Sequence, residues 1–171
     1  MSDNPQRAWI AIGTNQGNAS ALYRRAVERL RHHPRGIRLI GQSSLYRTEP
    51  VGSVRQPWFV NGVVLVETRC GPKALLRTLH RIEASFGRNR DREQRWGPRR
   101  LDLDLLFYGK RIVRHKTLKI PHPSLHLRRF VLAPLAELSP HLLHPVLGKT
   151  VDIMLQCVDD TARVEHLFRA V

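Results

Sequence analysis

The sequence predicts an α+β fold of the ferredoxin-like type, a largely antiparallel sheet with helices packed on one face. Three observations carry this. Several short segments are apolar on alternate residues or throughout, as strands are. Two longer segments repeat their apolar residues at helical spacing. The order reads strand–helix–strand–strand–helix–strand, and such an order segregates its helices from the sheet. A chain of 171 residues is long enough for one well-buried core, so residues 1–171 are read as a single domain, with 1–7 a loose N-terminus.

Ala8 to Ile12 is the first strand, and the polar turn from Gly13 to Asn18 ends in a candidate N-cap. Leu22, Ala26, Val27 and Leu30 then form a helical stripe that stops at Pro34-Arg35-Gly36. Ile37, Leu39, Gly41, Ser43 and Leu45 alternate as one second strand, and 47–53 is a loop broken by Pro50 and Gly52. Trp58 to Glu67 is apolar on both faces, which marks a central strand, with Asn61 its one buried-looking polar residue. Pro72 opens a second helix with Leu75, Leu76, Leu79, Ile82 and Phe86 inward, and Gly87 ends it. An arginine-dense loop follows, then a strand from Leu101 to Tyr108. Beyond the Gly109-Lys110 turn, short strands are expected at Ile112-Val113 and Leu118–Ile120, a helix over 128–137 that contains Pro134, and a helix from Val151.

The net charge of +15 is the outlying bulk property. It suits anionic ligands, although an arginine-biased genome produces the same excess. Cys70 and Cys157 are the only cysteines, which speaks against a disulfide framework and suits a reducing cytoplasm. No apolar signal segment or membrane-length run is seen. Neither a phosphate-binding Gly-x-x-x-x-Gly-Lys loop nor a Gly-x-Gly-x-x-Gly turn is present, and the nine histidines make no zinc spacing.

The chemistry concentrates at Arg95-Trp96-Gly97-Pro98-Arg99-Arg100-Leu101-Asp102-Leu103-Asp104. On a strand, Asp102 and Asp104 share a face with Cα atoms about 6.5–7 Å apart. Carboxylates so paired on an apolar strand need a compensating cation, and Mg²⁺ prefers such oxygens together with substrate phosphates. The alternative is a solvated strand face. The arginines at 88, 90, 92, 95, 99 and 100 can clamp phosphate oxygens or belong to a solvated loop. Trp96 can cover a ring or fill the core. His122, between two prolines, reads as exposed and able to donate to a phosphate, or as an idle surface residue. Glu83, beside the core stripe, reads first as a surface ion-pair member, and Asn61 either reads a ring edge or satisfies a neighbouring loop.

With these residues in place, the chain resembles the 6-hydroxymethyl-7,8-dihydropterin pyrophosphokinases of folate biosynthesis. The resemblance rests on Ala11–Asn15, Ser44–Gly52, Gln56–Asn61, Arg81–Glu83, Gly87-Arg88, Arg95–Arg99, Leu101–Asp104, Pro121-His122 and Arg128–Leu132. It implies transfer of pyrophosphate from ATP to the hydroxymethyl oxygen of the pterin, leaving AMP. Two Mg²⁺ ions on Asp102 and Asp104 are implied, with Arg88, Arg99, His122 and Arg128 on the phosphates and Glu83 at the nucleotide site. Arg90 and Trp96 fall in a catalytic loop expected to be mobile. The pterin is expected between Phe59 and Phe130, its edge read by Asn61 and by backbone groups of Thr48, Pro50 and Val51. His80 replaces a usual Gln, Pro123 a frequent Tyr, and Thr14 a common Ser. The 88–96 segment is one residue longer than in some members, so Arg90 aligns less firmly than Arg99. A cytoplasmic monomer with small-molecule partners, and no membrane or specific nucleic acid, is expected. The rivals are an RNA-binding module, whose signature pattern is missing, and an Asp-x-Asp nucleotide-sugar transferase, which gives Trp96–Arg99 and Thr48–Gly52 no role.

Overall fold

In the computed structural model, which describes residues 4–34, 36–52, 55–88 and 97–168, the sheet is built outward from β4, Phe59–Thr68. β1, Gln6–Thr14, lies antiparallel along one edge of β4, from Gln6 opposite Thr68 to Thr14 opposite Val60. β5, Asp102–Tyr108, pairs with the far side of β1. The other edge of β4 is shared by two short strands, β2 (Ile37–Gln42) over its C-terminal half and β3 (Leu45–Thr48) over its N-terminal end. The lane order β5-β1-β4-β2/β3 is that of the ferredoxin-like type, as expected.

Several details depart from the expected strands. The single strand read over 37–45 is interrupted at Ser43-Ser44. The Ser43 hydroxyl accepts from the Val63 amide at 2.9 Å and donates to the Ser44 carbonyl at 2.8 Å, and the Ser44 amide turns aside to the Glu137 carboxylate at 3.0 Å. Serine side chains that bond nearby backbone compete with a regular ladder in this way. Arg47 and Thr48 therefore belong to β3, and Gln6 and Arg7, read as loose, begin β1. A further strand, β8 (Val164–Phe168), lies antiparallel to β3 and extends the sheet; the sequence reading did not contain it.

The helix α1, Ala19–Arg31, starts where Asn18 accepts from the Ala21 amide at 3.0 Å. α2, Pro72–Ser85, begins on its proline and gives way to Gly87 at φ +85°. Both pack on one face, against Ile10, Ile12, Val64, Val66, Leu103 and Leu105. The expectation of helices on one face holds for this pair only. α3 (Arg129–Leu138) and α4 (Val151–Cys157) lie outside the strand–helix repeat and cover the opposite face, against Trp9, Val63 and Phe107. Their apolar stripes need a partner, and β4, apolar on both faces, supplies one. α3 runs on through Pro134, which offers no N–H to the carbonyl a turn earlier. β6 (Val113–His115) and β7 (Leu118–Ile120) form a separate hairpin.

Tyr23, fully buried on α1, lies across Gly62 of β4 so closely that a Cβ on Gly62 meets its hydroxyl at 2.4 Å and its ring at 2.9 Å. Gly62→Ala is expected to displace the ring and destabilise the fold by about 1–3 kcal/mol, the usual cost of overpacking. Urea denaturation reads the loss, and an unchanged midpoint refutes this contact as a constraint.

Candidate active site

The site lies on the face of the sheet that α3 only partly covers. Alternation along β5 puts Leu103 and Leu105 into the core and turns Asp102 and Asp104 to the other side. The register then places Gly13 between Asp102 on one neighbouring strand and Asn61 on the other, and Ala11 between Asp104 and Val63. A Cβ on Gly13 would stand 2.6 Å from the Asn61 side-chain oxygen, so glycine is what allows Asn61 to lie across β1. The floor between the acids and the amide is thus made of the smallest side chains available.

One cleft runs over this floor. Thr48, Val51, Phe59 and Asn61 line it from β3, β4 and the segment between them, Arg128, Phe130 and Val131 from the start of α3, and Arg99, Asp102 and Asp104 from β5 and the residues before it. Glu49, Gln56, Ala11 and Gly97 also line it. Of the sequence-predicted residues, Thr48, Val51, Phe59, Asn61, Arg99, Asp102, Asp104, Arg128 and Phe130 are therefore brought together. Pro50 is not among the lining residues, although both its neighbours are. Arg90 and Trp96 lie outside the described residues.

Asn61, buried at 7% exposure, donates to the Thr48 hydroxyl at 2.6 Å. The Arg128 guanidinium lies 5.7 Å from the centre of the Phe130 ring. At the acidic end, Arg88 bridges Glu83 and Asp102 Oδ1, while Arg99 takes Asp102 Oδ2. The Glu83 carboxylate also accepts from the Leu103 amide at 2.8 Å. Glu83 and the Arg88 side chain are 1% and 3% exposed, so the reading of Glu83 as a surface ion-pair member is corrected: the pair is sealed behind β5. Position beside the core stripe of α2 was the available signal, because a residue flanking that stripe is drawn inward once β5 covers the helix.

The two aspartates are electrostatically unlike. Burial works against ionisation of Asp102, but Arg99 and Arg88 together outweigh it and hold its carboxyl below the usual range. Asp104 is pushed up to about 7, first by burial and then by the charge of Asp102, with Arg128 and Arg99 only partly opposing. His122 is half-buried rather than exposed, because its backbone amide bonds Leu106 and folds the 121–125 turn against β5. Burial and then Arg128 push it down to about 4, so it is neutral near pH 7. Its Nδ1 accepts from the Ser124 amide at 3.3 Å, leaving Nε2 to carry the proton, 4.0 Å from Asp104.

Asn15, in the polar turn after β1, is buried. Its amide nitrogen donates to Gln56 at 2.9 Å and the Pro57 carbonyl at 3.0 Å, and its oxygen accepts from the Arg99 amide at 2.8 Å. Thr14 donates to the Arg100 carbonyl at 2.7 Å, a bond that either a Ser or a Thr supplies. This turn pins the start of the strand that carries the acids to the segment before Phe59.

A ferredoxin-like α+β domain with an aromatic slot opening onto an arginine-flanked acidic pair is the class of protein that the fold and the cleft define. The family model for 7,8-dihydro-6-hydroxymethylpterin-pyrophosphokinase matches residues 9–140. The 2-amino-4-hydroxy-6-hydroxymethyldihydropteridine pyrophosphokinase of Methylorubrum extorquens is 42% identical over 161 residues, 93% of this chain and 99% of that protein. Its namesake from Pseudomonas aeruginosa is 41% identical over 140 residues, 82% of this chain and 85% of that one. The wild-type HPPK-DHPS structure of Plasmodium falciparum superposes with a TM-score of 0.67 at 16% identity, over 90% of this chain and 44% of that longer one, a likeness of fold. This chain belongs to the 7,8-dihydro-6-hydroxymethylpterin-pyrophosphokinase family, enzymes of folate biosynthesis.

Asparagine substitutions of the two acids are expected to act oppositely on stability in metal-free buffer. Asp102→Asn strips a partner from buried Arg88 and should cost about 3 kcal/mol. Asp104→Asn should stabilise by about 1–2 kcal/mol at pH 8, a figure discounted for solvent because the side chain is 36% exposed. The unfolded carboxyl ionises near 3.8 and the folded one near 7, so the wild-type chain loses this stability as pH rises between those values. The gain from Asp104→Asn therefore grows over that range and is flat above it. Denaturation of both variants at pH 5 and pH 8 is the test, and equal losses for the two contradict the assignment.

Proposed function

We propose that this chain transfers the pyrophosphoryl group of ATP to the hydroxymethyl oxygen of 6-hydroxymethyl-7,8-dihydropterin, releasing AMP, in the cytoplasm and as a Mg²⁺-dependent single-domain monomer. The carrying observation is the placement of the Asp102–Asp104 pair and the Phe59–Asn61–Phe130 slot along one cleft, separated only by Gly13 and Ala11.

The donor set fits a hard divalent cation. Among the described residues no three His, Cys, Asp or Glu side chains gather as a full metal cage. Mg²⁺ is usually held by one or two carboxylates, with waters and substrate phosphates completing its shell. Asp104, whose charge is unfavourable without a cation, and Asp102, whose oxygens keep lone pairs beyond the arginine bonds, would hold it. Bound there, Mg²⁺ supplies neutralisation of phosphate charge and polarisation of the transferred group.

The chain's own residues supply the positioning. Arg99 and Arg128 reach into the cleft as phosphate clamps, and Arg88 acts from behind, held by Glu83. Glu83 thus serves the nucleotide end through Arg88. Neutral His122 offers Nε2–H to a phosphate oxygen without adding charge. Phe59 and Phe130 receive the flat pterin, and Asn61, with backbone groups of the 48–51 segment, reads its edge. Arg90 and Trp96 are assigned to closing the nucleotide end. The pterin oxygen bonds to the β-phosphorus, the bond from that phosphorus to the AMP oxygen breaks, and the hydroxyl proton passes to solvent. Such transfer rests on alignment and charge neutralisation rather than on a protein nucleophile.

An assay with ATP, Mg²⁺ and the pterin alcohol should yield AMP and the pterin diphosphate; a nucleoside diphosphate product, or RNA binding without turnover, overturns the reading. Asp102→Ala or Asp104→Ala should lower turnover by about 10³-fold at saturating Mg²⁺. Because Mg²⁺ must displace the proton held by Asp104, apparent Mg²⁺ affinity should rise as pH rises toward and past about 7. Asn61→Leu should weaken pterin binding by about 1–3 kcal/mol and leave ATP binding unchanged. Separate titrations of the two ligands check this, and equal losses point to a folding defect instead.

A further inference from the structure

We propose that Asp160 and Arg163, in the segment between α4 and β8, are positioning residues that hold the two walls of the cleft at a fixed separation for the flat substrate. The proposal rests on the pterin reading above and goes beyond it, because neither residue touches the substrate or the reacting atoms. Both lie past residues 9–140, the part that the family model matches.

The first wall is the start of α3. A helix N-terminus has amides without intrahelical partners and favours an anionic cap. The N-cap of α3 is Arg128, which makes no side-chain capping bond. The cap comes instead from a distant part of the chain: Asp160 Oδ2 accepts from the Arg129 amide at 2.8 Å, and its Oδ1 accepts from the Ala162 amide at 3.0 Å. The turn so capped presents Arg128, Phe130 and Val131 to the cleft.

The second wall is built by residues 49–52 and 55–59. The Glu49 amide donates to the Arg163 carbonyl at 3.0 Å, and the Arg163 amide donates to Glu49 Oε2 at 3.2 Å. The Arg163 guanidinium lies 3.8 Å from Glu49 Oε1 and 4.8 Å from the centre of the Trp58 ring, with Arg47 also over that ring at 4.7 Å. An exposed ion pair alone contributes little. Here it is joined to one backbone–backbone bond, to one backbone–carboxylate bond and to a ring with two guanidinium groups over it, which fixes geometry more firmly. Glu49 leads into Val51 and Trp58 into Phe59, both in the cleft.

Asp160 through Arg163 is thus one short stretch of chain fastened to both walls. Sandwiching a flat ring requires a set spacing, and a wall misplaced by a fraction of its thickness forfeits contact on one face. The acidic end of the cleft is held separately, by Glu83 and Arg88. Loosening the 160–163 stretch should therefore act first on the ring-binding end, and on the phosphate end only through Arg128, which sits on the capped turn.

The test uses full-length Asp160→Ala, Arg163→Ala and the conservative Asp160→Asn, which keeps an acceptor for the Arg129 amide. KM for the pterin alcohol should rise about tenfold in Asp160→Ala, the scale of one lost helix cap. A smaller rise is expected in Arg163→Ala, with kcat and KM for ATP unchanged there; in Asp160→Ala KM for ATP should rise less than KM for the pterin, because Arg128 sits on the capped turn, and Asp160→Asn should stay close to wild type. Amide hydrogen exchange should quicken at 129–132 in Asp160→Ala and at 49–52 in Arg163→Ala, while β4 keeps its protection. Pterin KM unchanged in both alanine variants, or pterin and ATP KM rising equally in Arg163→Ala, overturns the proposal. Should Asp160→Ala not fold, Arg163→Ala decides by the same criteria. Should the wild-type chain form no AMP from ATP and the pterin alcohol, the reading of the cleft fails. Exchange then decides the positioning role, and unchanged exchange at both walls overturns it.

Discussion

Arg88 is a guanidinium almost sealed from water, and the acidic end of the molecule is arranged around it. A buried charge is tolerated only with partners, and Arg88 has Glu83 from α2 on one side and Asp102 from β5 on the other. Helix and strand are thereby bound at one point, just where the chain leaves α2. The same arrangement sets the character of the neighbouring acids. Asp102 is neutralised by protein; Asp104, on the same face, is not, and its charge stays costly until something outside the protein compensates it. Arg88 and Arg99 together thus divide two identical side chains into one already neutralised by the protein and one whose charge is left uncompensated.

The other requirement is space. A sheet covered on both faces would ordinarily fill its centre with branched side chains, and β4 does so at Val60, Val63, Val64 and Val66. The strand beside it has Ala11 and Gly13 where the cleft crosses, so the floor is backbone and methyl. Asn61 occupies the room that Gly13 leaves. The amide and the acids face one cavity because β1 contributes almost nothing between them.

The parts of the fold that were legible in the sequence are those where periodicity and burial agree. β1, β4, β5, α1 and α2 each carry an apolar pattern that only one conformation satisfies, and Asp102 and Asp104 inherit their shared face from that pattern. The break between β2 and β3 was hidden, because it comes from serine hydroxyls bonding to backbone that sequence alone does not bring near. β8 was hidden for another reason: Val164-Glu165-His166-Leu167 has no alternation, and its conformation comes from the free edge of β3. In the site, the aromatic and acidic residues were readable by type. The burial of Arg88 and the bracing by Asn15 were not, since a charge run looks alike whether or not its first arginine folds inward.

The ring of Trp58, with the guanidinium groups of both Arg47 and Arg163 over it, gives the protein an optical property. Indole emission is sensitive to adjacent cations and to water, and this indole sits one residue before a residue that lines the cleft. Trp9 is a contrasting case, buried in the second core with its N–H held by the Ser139 hydroxyl at 2.9 Å, a surrounding that ligands do not reach. Of the three tryptophans, the two among the described residues are thus one indole fixed in the interior and another at the rim of the slot. The first serves as an internal reference, and the second reports in its colour and intensity on the state of the wall beside it.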